Sequence, residues 1–170
     1  MWSGARASPW AWSLLKLLER NRGVGRVVLP VLKTIDALFS HGCLDDLTRS
    51  SSSFTERCLN CLRNEASSRD VPRLFAVVDV AVALLFTVVD DVPESRRGLS
   101  FLCSMLAHRF PRVRGYTAEQ LYVFLLEYDG GSRSKAINLV LDTPWSSELK
   151  SEQRQKYASQ AAEELDLSLI

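Results

Sequence analysis

The chain reads as all-α, a stack of antiparallel helical hairpins. Three observations predict this. Apolar residues recur at steps of three and four along most of the sequence, the period of a helix face. The punctuation between these segments is helix punctuation: Asp or Ser before a run, Pro in its first turn, Gly after it. Period-2 alternation and Asn-Gly hairpin signals are lacking.

The elements follow in order. "SPWAWSLLKLLERNRG" predicts a helix with Ser8 as N-cap, Pro9 at its first position and Gly23 past its end. In "RVVLPVLKTIDALFSHG", Val28, Leu32, Ile35 and Phe39 share one face and Gly42 suits the stop. "SSSSFTERCLNCLRN" opens with a capping box, Ser53 at the N-cap and Glu56 three residues on, preceded by a short serine joint. Asp70 can cap the next helix, with Pro72 in its first turn. That helix holds "LFAVVDVAVALLFTVV", Leu74 to Val89, the most apolar stretch. It is shorter than the about 20 apolar residues a membrane span needs. Asp79 inside it would cost about 2.5–3.5 kcal/mol at a bilayer centre. A helix buried in protein, not a span, is therefore expected.

Pro93 opens a further helix with a Leu99, Leu102, Leu106 stripe. Pro111 starts another, with Val113, Leu121, Phe124 and Leu125 as its apolar positions and Gly130 and Gly131 at its end. A shorter helix is expected from about Ser134 to Leu141, and Pro144 is expected to start the last one. Prolines near helix starts, Pro30, Pro72, Pro111 and Pro144, thus recur roughly every 40 residues, the spacing of HEAT and armadillo repeats. "PVLK" at Pro30 and "PRVR" at Pro111 share one pattern: Pro, any, apolar, basic. There the proline starts a helix, the apolar residue enters the core, and the basic residue reaches polar groups of the neighbouring turn. The fold expected is a HEAT/armadillo-like α-solenoid. Residues 1–23 form an N-terminal helix expected to pack on an upstream repeat through Trp10 and Trp12. Residues 24–170 form the helical-repeat domain.

The 170 residues carry 21 Lys and Arg against 20 Asp and Glu. With charges so balanced, no global field draws the chain to nucleic acid or an anionic membrane, and a protein partner is expected. "HGCLDDLTRSSSSFTERCLNC" places His41 and Cys43 near Cys58 and Cys61. Zinc favours four such ligands in pairs two to four residues apart. The first pair is too close, with one residue between. Cys58 and Cys61, at i and i+3, fall on one stripe with Phe54 and Leu62, where free cysteine packs as a small hydrophobe. Core packing is the favoured reading, and a zinc-dependent hydrolase at these four residues is the competing one. His41 and His108 each stand near a helix C-terminus, where imidazolium meets the negative end of the dipole. Neither a G-x-S-x-G elbow nor a Walker loop nor a dinucleotide fingerprint occurs. No catalytic, cofactor-binding or metal-binding residue is assigned.

The densest basic cluster near the middle of the chain is His108, Arg109, Arg112 and Arg114. Arg114 fits the repeat's structural basic position. Arg109 and Arg112 are less constrained and are the candidate contacts for an acidic partner. Aromatics do not interleave with them as a nucleic-acid stacking platform requires. Gly115 interrupts the first turn of its helix at a cost of about 1 kcal/mol relative to Ala.

"RVVLPVLKTIDALFSHGC", followed by "HRFPRVRGYTAEQLYVFLLEYD" and "LDTPW", resembles the C-terminal region of tubulin-specific chaperone D, also called tubulin-folding cofactor D. The resemblance runs from about Leu14 to about Leu165. It implies a non-enzymatic helical scaffold that binds β-tubulin, other tubulin-folding cofactors and an Arf-like small GTPase. Such a scaffold acts in assembly and disassembly of the αβ-tubulin heterodimer, with GTPase activation only as part of a complex. It implies no cofactor, and a place in the cytoplasm, at microtubules or centrosomes. The family protein is far longer than this chain. A generic helical-repeat adaptor with no tubulin role is the alternative.

Overall fold

The computed structural model describes residues 9–129 and 134–167. They form helices α1 (Pro9–Arg20), α2 (Gly25–Ser40), α3 (Asp45–Ser50), α4 (Ser52–Glu65), α5 (Val71–Thr87), α6 (Val92–Leu106), α7 (Pro111–Asp129), α8 (Ser134–Asp142) and α9 (Ser151–Glu164). Two layers result. In one, α1 packs on α4, α4 on α6 and α6 on α9. In the other, α2 packs on α5, α5 on α7 and α7 on α8. The pairs α1–α2, α4–α5, α6–α7 and α8–α9 bridge the layers, and short α3 leans on α4 and α5. This is an all-α helical-repeat solenoid, as expected.

The sequence stripes become its core. Val28, Leu32, Ile35 and Phe39 of α2 are buried, as are Phe54, Cys58, Cys61 and Leu62 of α4 and Leu99, Leu102 and Leu106 of α6. Each such aliphatic or aromatic side chain contributes about 1.5–3 kcal/mol by leaving water. Helix α5 is at the centre. Only a line through Phe75, Asp79, Ala83 and Phe86 escapes full burial between its first turn and Phe86. That explains a stretch apolar on nearly every side. Among the described residues no helix is long and apolar enough to cross a membrane.

Local signals behave as the backbone demands. Asp70 caps α5, its Oδ1 accepting from Arg73 N at 3.5 Å, and Asp91 caps α6, accepting from Glu94 N at 3.3 Å. Gly23 and Gly42 follow α1 and α2 with φ of +74° and +68°, the left-handed conformation that closes a helix at little cost only for glycine. Ser8 and the glycines at 130 and 131 lie outside the described residues.

Four expectations change. Pro144 starts no helix. Residues 143–150 form a turn in which Trp145 is buried, its indole donating to Val140 O at 2.9 Å, and α9 begins at Ser151. The carbonyls of Trp145 and Ser147, which a helix would need, are taken by Arg114. Pro30 is not at a helix start but is the sixth residue of α2, because burial of Val28 draws the helix upstream. The likeness of "PVLK" and "PRVR" is therefore superficial: Lys33 is exposed and Arg114 buried. Helix α4 starts at Ser52, after Ser51. No capping box forms at Ser53, whose hydroxyl pairs with that of Ser51 at 2.9 Å. The serine joint is a single residue, because the unforeseen α3 runs to Ser50, with Asp45 and Asp46 favourably placed in its first turn. Finally, Trp12 faces inward, its ring edge-on to Phe54 at 5.3 Å between centroids, while Trp10 remains 43% exposed.

Gly115 has a packing reason. A Cβ there would lie 2.1 Å from Ser146 Oγ, because the 143–150 turn presses on α7. The obstacle is a mobile hydroxyl. At Gly98 a Cβ would lie 2.6 Å from Cδ2 and 2.9 Å from Cγ of Leu85, which is fully buried. Overpacking costs about 1–3 kcal/mol, against about 1 kcal/mol of helix propensity gained by Gly→Ala. We therefore expect Gly98→Ala to lower the thermal midpoint and Gly115→Ala to leave it unchanged or raise it, measured by circular dichroism. The same large loss in both would show that Ser146 cannot move aside.

Candidate partner-binding edge

Stacked hairpins bring their turns to one edge, and helix ends bring unpaired backbone groups with them. Here side chains answer that demand across neighbouring hairpins. Buried Glu65, at the end of α4, accepts from Gly23 N in the α1–α2 turn at 3.0 Å. Its other oxygen accepts from the Arg73 guanidinium at 3.1 Å, and Arg73 lies 3.7 Å from Asp70. One turn further, His108 and Arg109 reach back to the α4–α5 turn. His108 Nε2 pairs with Ala66 O at 3.2 Å, and Arg109 donates to Ser67 O and Ser68 O at 3.4 and 3.2 Å. Arg114, 1% exposed, donates forward to Trp145 O and Ser147 O at 3.0 and 2.5 Å and back to His108 O and Arg109 O at 2.8 and 3.1 Å. The reading of Arg114 as structural is correct, and its partners are those of the neighbouring turns. Burial lowers its pKa, yet a guanidinium keeps its charge at neutral pH.

His108 departs from expectation. Phe110 N donates to its Nδ1 at 3.2 Å, so Nδ1 is an acceptor and Nε2 carries the hydrogen given to Ala66. The ring is a neutral bridge between turns, not an imidazolium cap. Burial is the main cause holding its pKa below the usual value, with Arg109 and Arg114 adding to it. His41 does serve the end of α2, its Nδ1 lying 2.6 Å from Ala37 O.

Arg109 and Arg112 are both exposed beside the α6–α7 turn. Arg109 is anchored by its two carbonyl partners, with its guanidinium 4.8 Å above the Phe110 ring centre. Arg112 makes no hydrogen bond or ion pair with any described residue and is free for a partner.

The four zinc candidates are not assembled. Cys58 and Cys61 lie in the core, whereas His41 and Cys43 are exposed at the α2–α3 link. Among the described residues no three His, Cys, Asp or Glu side chains are placed to hold a metal ion. Burial raises the Cys58 thiol far above its ordinary pKa and pushes Cys61 up to about 11. Both pack on the α4 stripe beside Phe54 and Leu62. Cys61 Sγ is spent on Leu15 O at 3.9 Å.

One feature leaves almost no signal in the sequence. On the face of the α2–α5–α7 layer, the Tyr116 hydroxyl donates to Asp79 Oδ1, and Tyr116 stacks on Phe75 with centroids 4.4 Å apart. Asp79 is thus tied across to α7, with its pKa raised by burial first. Its i+4 spacing from Phe75 was the only signal.

Residues 5–73 match the family model described as tubulin folding cofactor D C terminal. The first part of the chain is tubulin-folding-cofactor-D-like. The match covers α1 to α4 and the first residues of α5, the opening portion of the stretch Leu14–Leu165 on which the resemblance rests. The match spans less than half of the 170 residues, and it is a likeness of that segment. No solved structure matches the chain. Gly23, Glu65 and Arg73, the first rung of the polar edge, lie inside the cofactor D match.

Removing one partner of a buried ion pair costs about 3–5 kcal/mol, because the other charge is stranded. Glu65→Ala should lose about that much stability by urea denaturation, and the double variant Glu65→Ala, Arg73→Leu should recover part of it. A loss under about 1 kcal/mol, typical of exposed pairs, would mean the rung does not hold the turns. A second expectation concerns acid. Folding keeps His108 neutral, and unfolding frees it to bind a proton near its ordinary pKa of about 6.5. Its contribution is complete above that pH and is lost as pH falls toward the lowered folded pKa. His108→Gln should therefore flatten the fall in stability between neutral and mildly acidic pH. Parallel pH curves for both proteins would refute the neutral bridge.

Proposed function

We propose that the chain is a non-enzymatic tubulin-folding cofactor scaffold. It would bind β-tubulin, fellow cofactors or both during assembly and disassembly of the αβ heterodimer. The carrying observation is the tubulin folding cofactor D C-terminal match over residues 5–73, laid on a two-layer helical array. Stacked hairpins suit the role by presenting extended surfaces to large partners. Arg109 and Arg112 are the proposed partner contacts, being exposed cations on a turn whose backbone is held rigid by Arg114 and His108. An Arf-like small GTPase among the partners, GTPase activation within a complex, and a cytoplasmic place at microtubules or centrosomes belong to the same proposal. So does the division at residue 23, with exposed Trp10 meeting a preceding repeat.

The test is capture of purified αβ-tubulin by the immobilised chain, in parallel with capture of the N-terminal portion of a tubulin folding cofactor D. Saturable tubulin capture, weakened about tenfold or more by Arg109→Glu with Arg112→Glu as expected for desolvated charge contacts, would support the reading. Capture of the N-terminal portion alone would make the chain a structural end-piece. Folded chain that captures neither would favour the generic adaptor.

A further inference from the structure

The near-zero net charge conceals a positive run along three of the stacked turns, while the fourth, 143–150, carries exposed Glu148 and Lys150. On the turn edge Arg20, Arg22 and Arg26 flank the α1–α2 turn, Arg69 lies in the α4–α5 turn, and Arg109 and Arg112 flank the α6–α7 turn. All six are exposed. Residues 20–26, 66–72 and 107–112 contain one carboxylate, Asp70, which is half-buried and committed to capping α5 and pairing with Arg73. On the opposite edge Asp46, Asp90, Asp91 and Glu127 are exposed, and the exposed cations there include, among the described residues, Arg49, 3.9 Å from Asp45, and Lys135 at the start of α8.

The fold does not use most of these arginines. Arg20, Arg22, Arg26, Arg69 and Arg112 make no hydrogen bond or ion pair with any described residue, in contrast to buried Arg73 and Arg114. Glu19 lies within Coulombic reach of Arg22 but is held by Arg57, so these arginines are short of counter-charge and repel one another in the folded state. Guanidinium groups arrayed this way are suited to carboxylates, which they bind through two parallel hydrogen bonds. The three turns are consecutive, tied by the Gly23–Glu65 and Ala66–His108 bonds. Packed helices stand about 8–10 Å apart, so three turns span roughly 20 Å. An extended chain rising about 3.3 Å per residue covers that in about six or seven residues.

We propose that the three stacked turns form a docking strip for an extended, acidic protein segment. The proposal rests on Arg109 and Arg112 being partner contacts, but not on the identity of the partner. The strip offers nucleic acid no stacking platform. Its single aromatic, Phe110, is covered by the Arg109 guanidinium and has His108 5.3 Å away.

The test uses a fluorescent oligo-glutamate peptide long enough to cross the three turns, with oligo-lysine and single-stranded polyuridylate as comparison probes, followed by anisotropy near physiological salt. The strip variant carries Arg22→Glu, Arg69→Glu and Arg112→Glu. A control variant with the same charge change carries Lys16→Glu, Lys135→Glu and Lys156→Glu, off the strip. Circular dichroism checks that both are folded. Saturable glutamate binding, about tenfold weaker in the strip variant and within about twofold in the control, is expected for localised charge pairing. Equal weakening in both, absence of saturable binding, or tighter binding of the RNA would overturn the strip. If the strip variant unfolds, Arg69→Glu alone must weaken binding more than Lys135→Glu alone, or the strip is refuted. A chain that binds the glutamate peptide but captures no tubulin keeps the strip and loses tubulin as partner. A chain that captures tubulin with or without these arginines, and ignores the peptide, does the reverse.

Discussion

Glu65 and Arg73 meet where three segments would each leave a polar group without a partner. The carboxylate takes the free N–H of Gly23 and the guanidinium of Arg73, and Arg73 in turn leans on Asp70, the cap of α5. A helix hides its polar backbone everywhere except at its ends. Stacking hairpins gathers those ends into one line, where water is partly excluded. The buried pair fixes how the α1–α2 and α4–α5 hairpins sit against each other. His108 and Arg114 repeat the solution for the next two junctions. The apolar stripes drive the helices together, but they slide easily along one another. Directional bonds between turns set the register.

This construction gives the turn edge its chemistry. Carbonyls at helix ends are answered by donors, here the guanidinium groups of Arg109 and Arg114 and the Nε2–H of neutral His108. Of the buried members, Arg114 is consumed by that task, and Arg73 is held by the carboxylates of Glu65 and Asp70. Most of the exposed arginines share the same edge without sharing the task, and they are the contacts proposed for a partner. The rigidity of the buried ladder matters to that meeting, since cations on fixed turns lose less freedom on binding than cations on mobile loops.

Much of the fold was legible because burial imposes a period. Val28, Leu32, Ile35 and Phe39 could be read as a face from spacing alone, and Cys58 and Cys61 as core from their place beside Phe54 and Leu62. Capping signals worked at Asp70, where side-chain geometry is local. They failed at Pro144 because a distant residue decided the matter: Arg114 claims carbonyls that a helix would have used. They failed at Ser53 because α3 brought the helix start forward. The candidate edge was half legible. Arg109 and Arg112 stood out as a cluster in sequence. Arg22, Arg26 and Arg69 did not, since their neighbourhood arises only when turns some forty residues apart are stacked. For the same reason the balance of total charge was a poor guide to local field.

The family match bears on these two kinds of residue differently. It ends at Arg73, so it contains the whole first rung, Gly23, Glu65 and Arg73, and four of the strip's arginines, Arg20, Arg22, Arg26 and Arg69. It contains neither Arg109 nor Arg112. The buried rung is a folding requirement and would be needed whatever the partner. The exposed arginines within the match have no such folding task, and their placement beside the rung puts most of the proposed strip within the family-like segment. The third turn is then joined to that segment by His108 and Arg109 bonding back to Ala66, Ser67 and Ser68. Loosening the His108 bond should act on partner affinity through register, by moving Arg112 out of line with Arg69, because His108 is not itself a proposed contact.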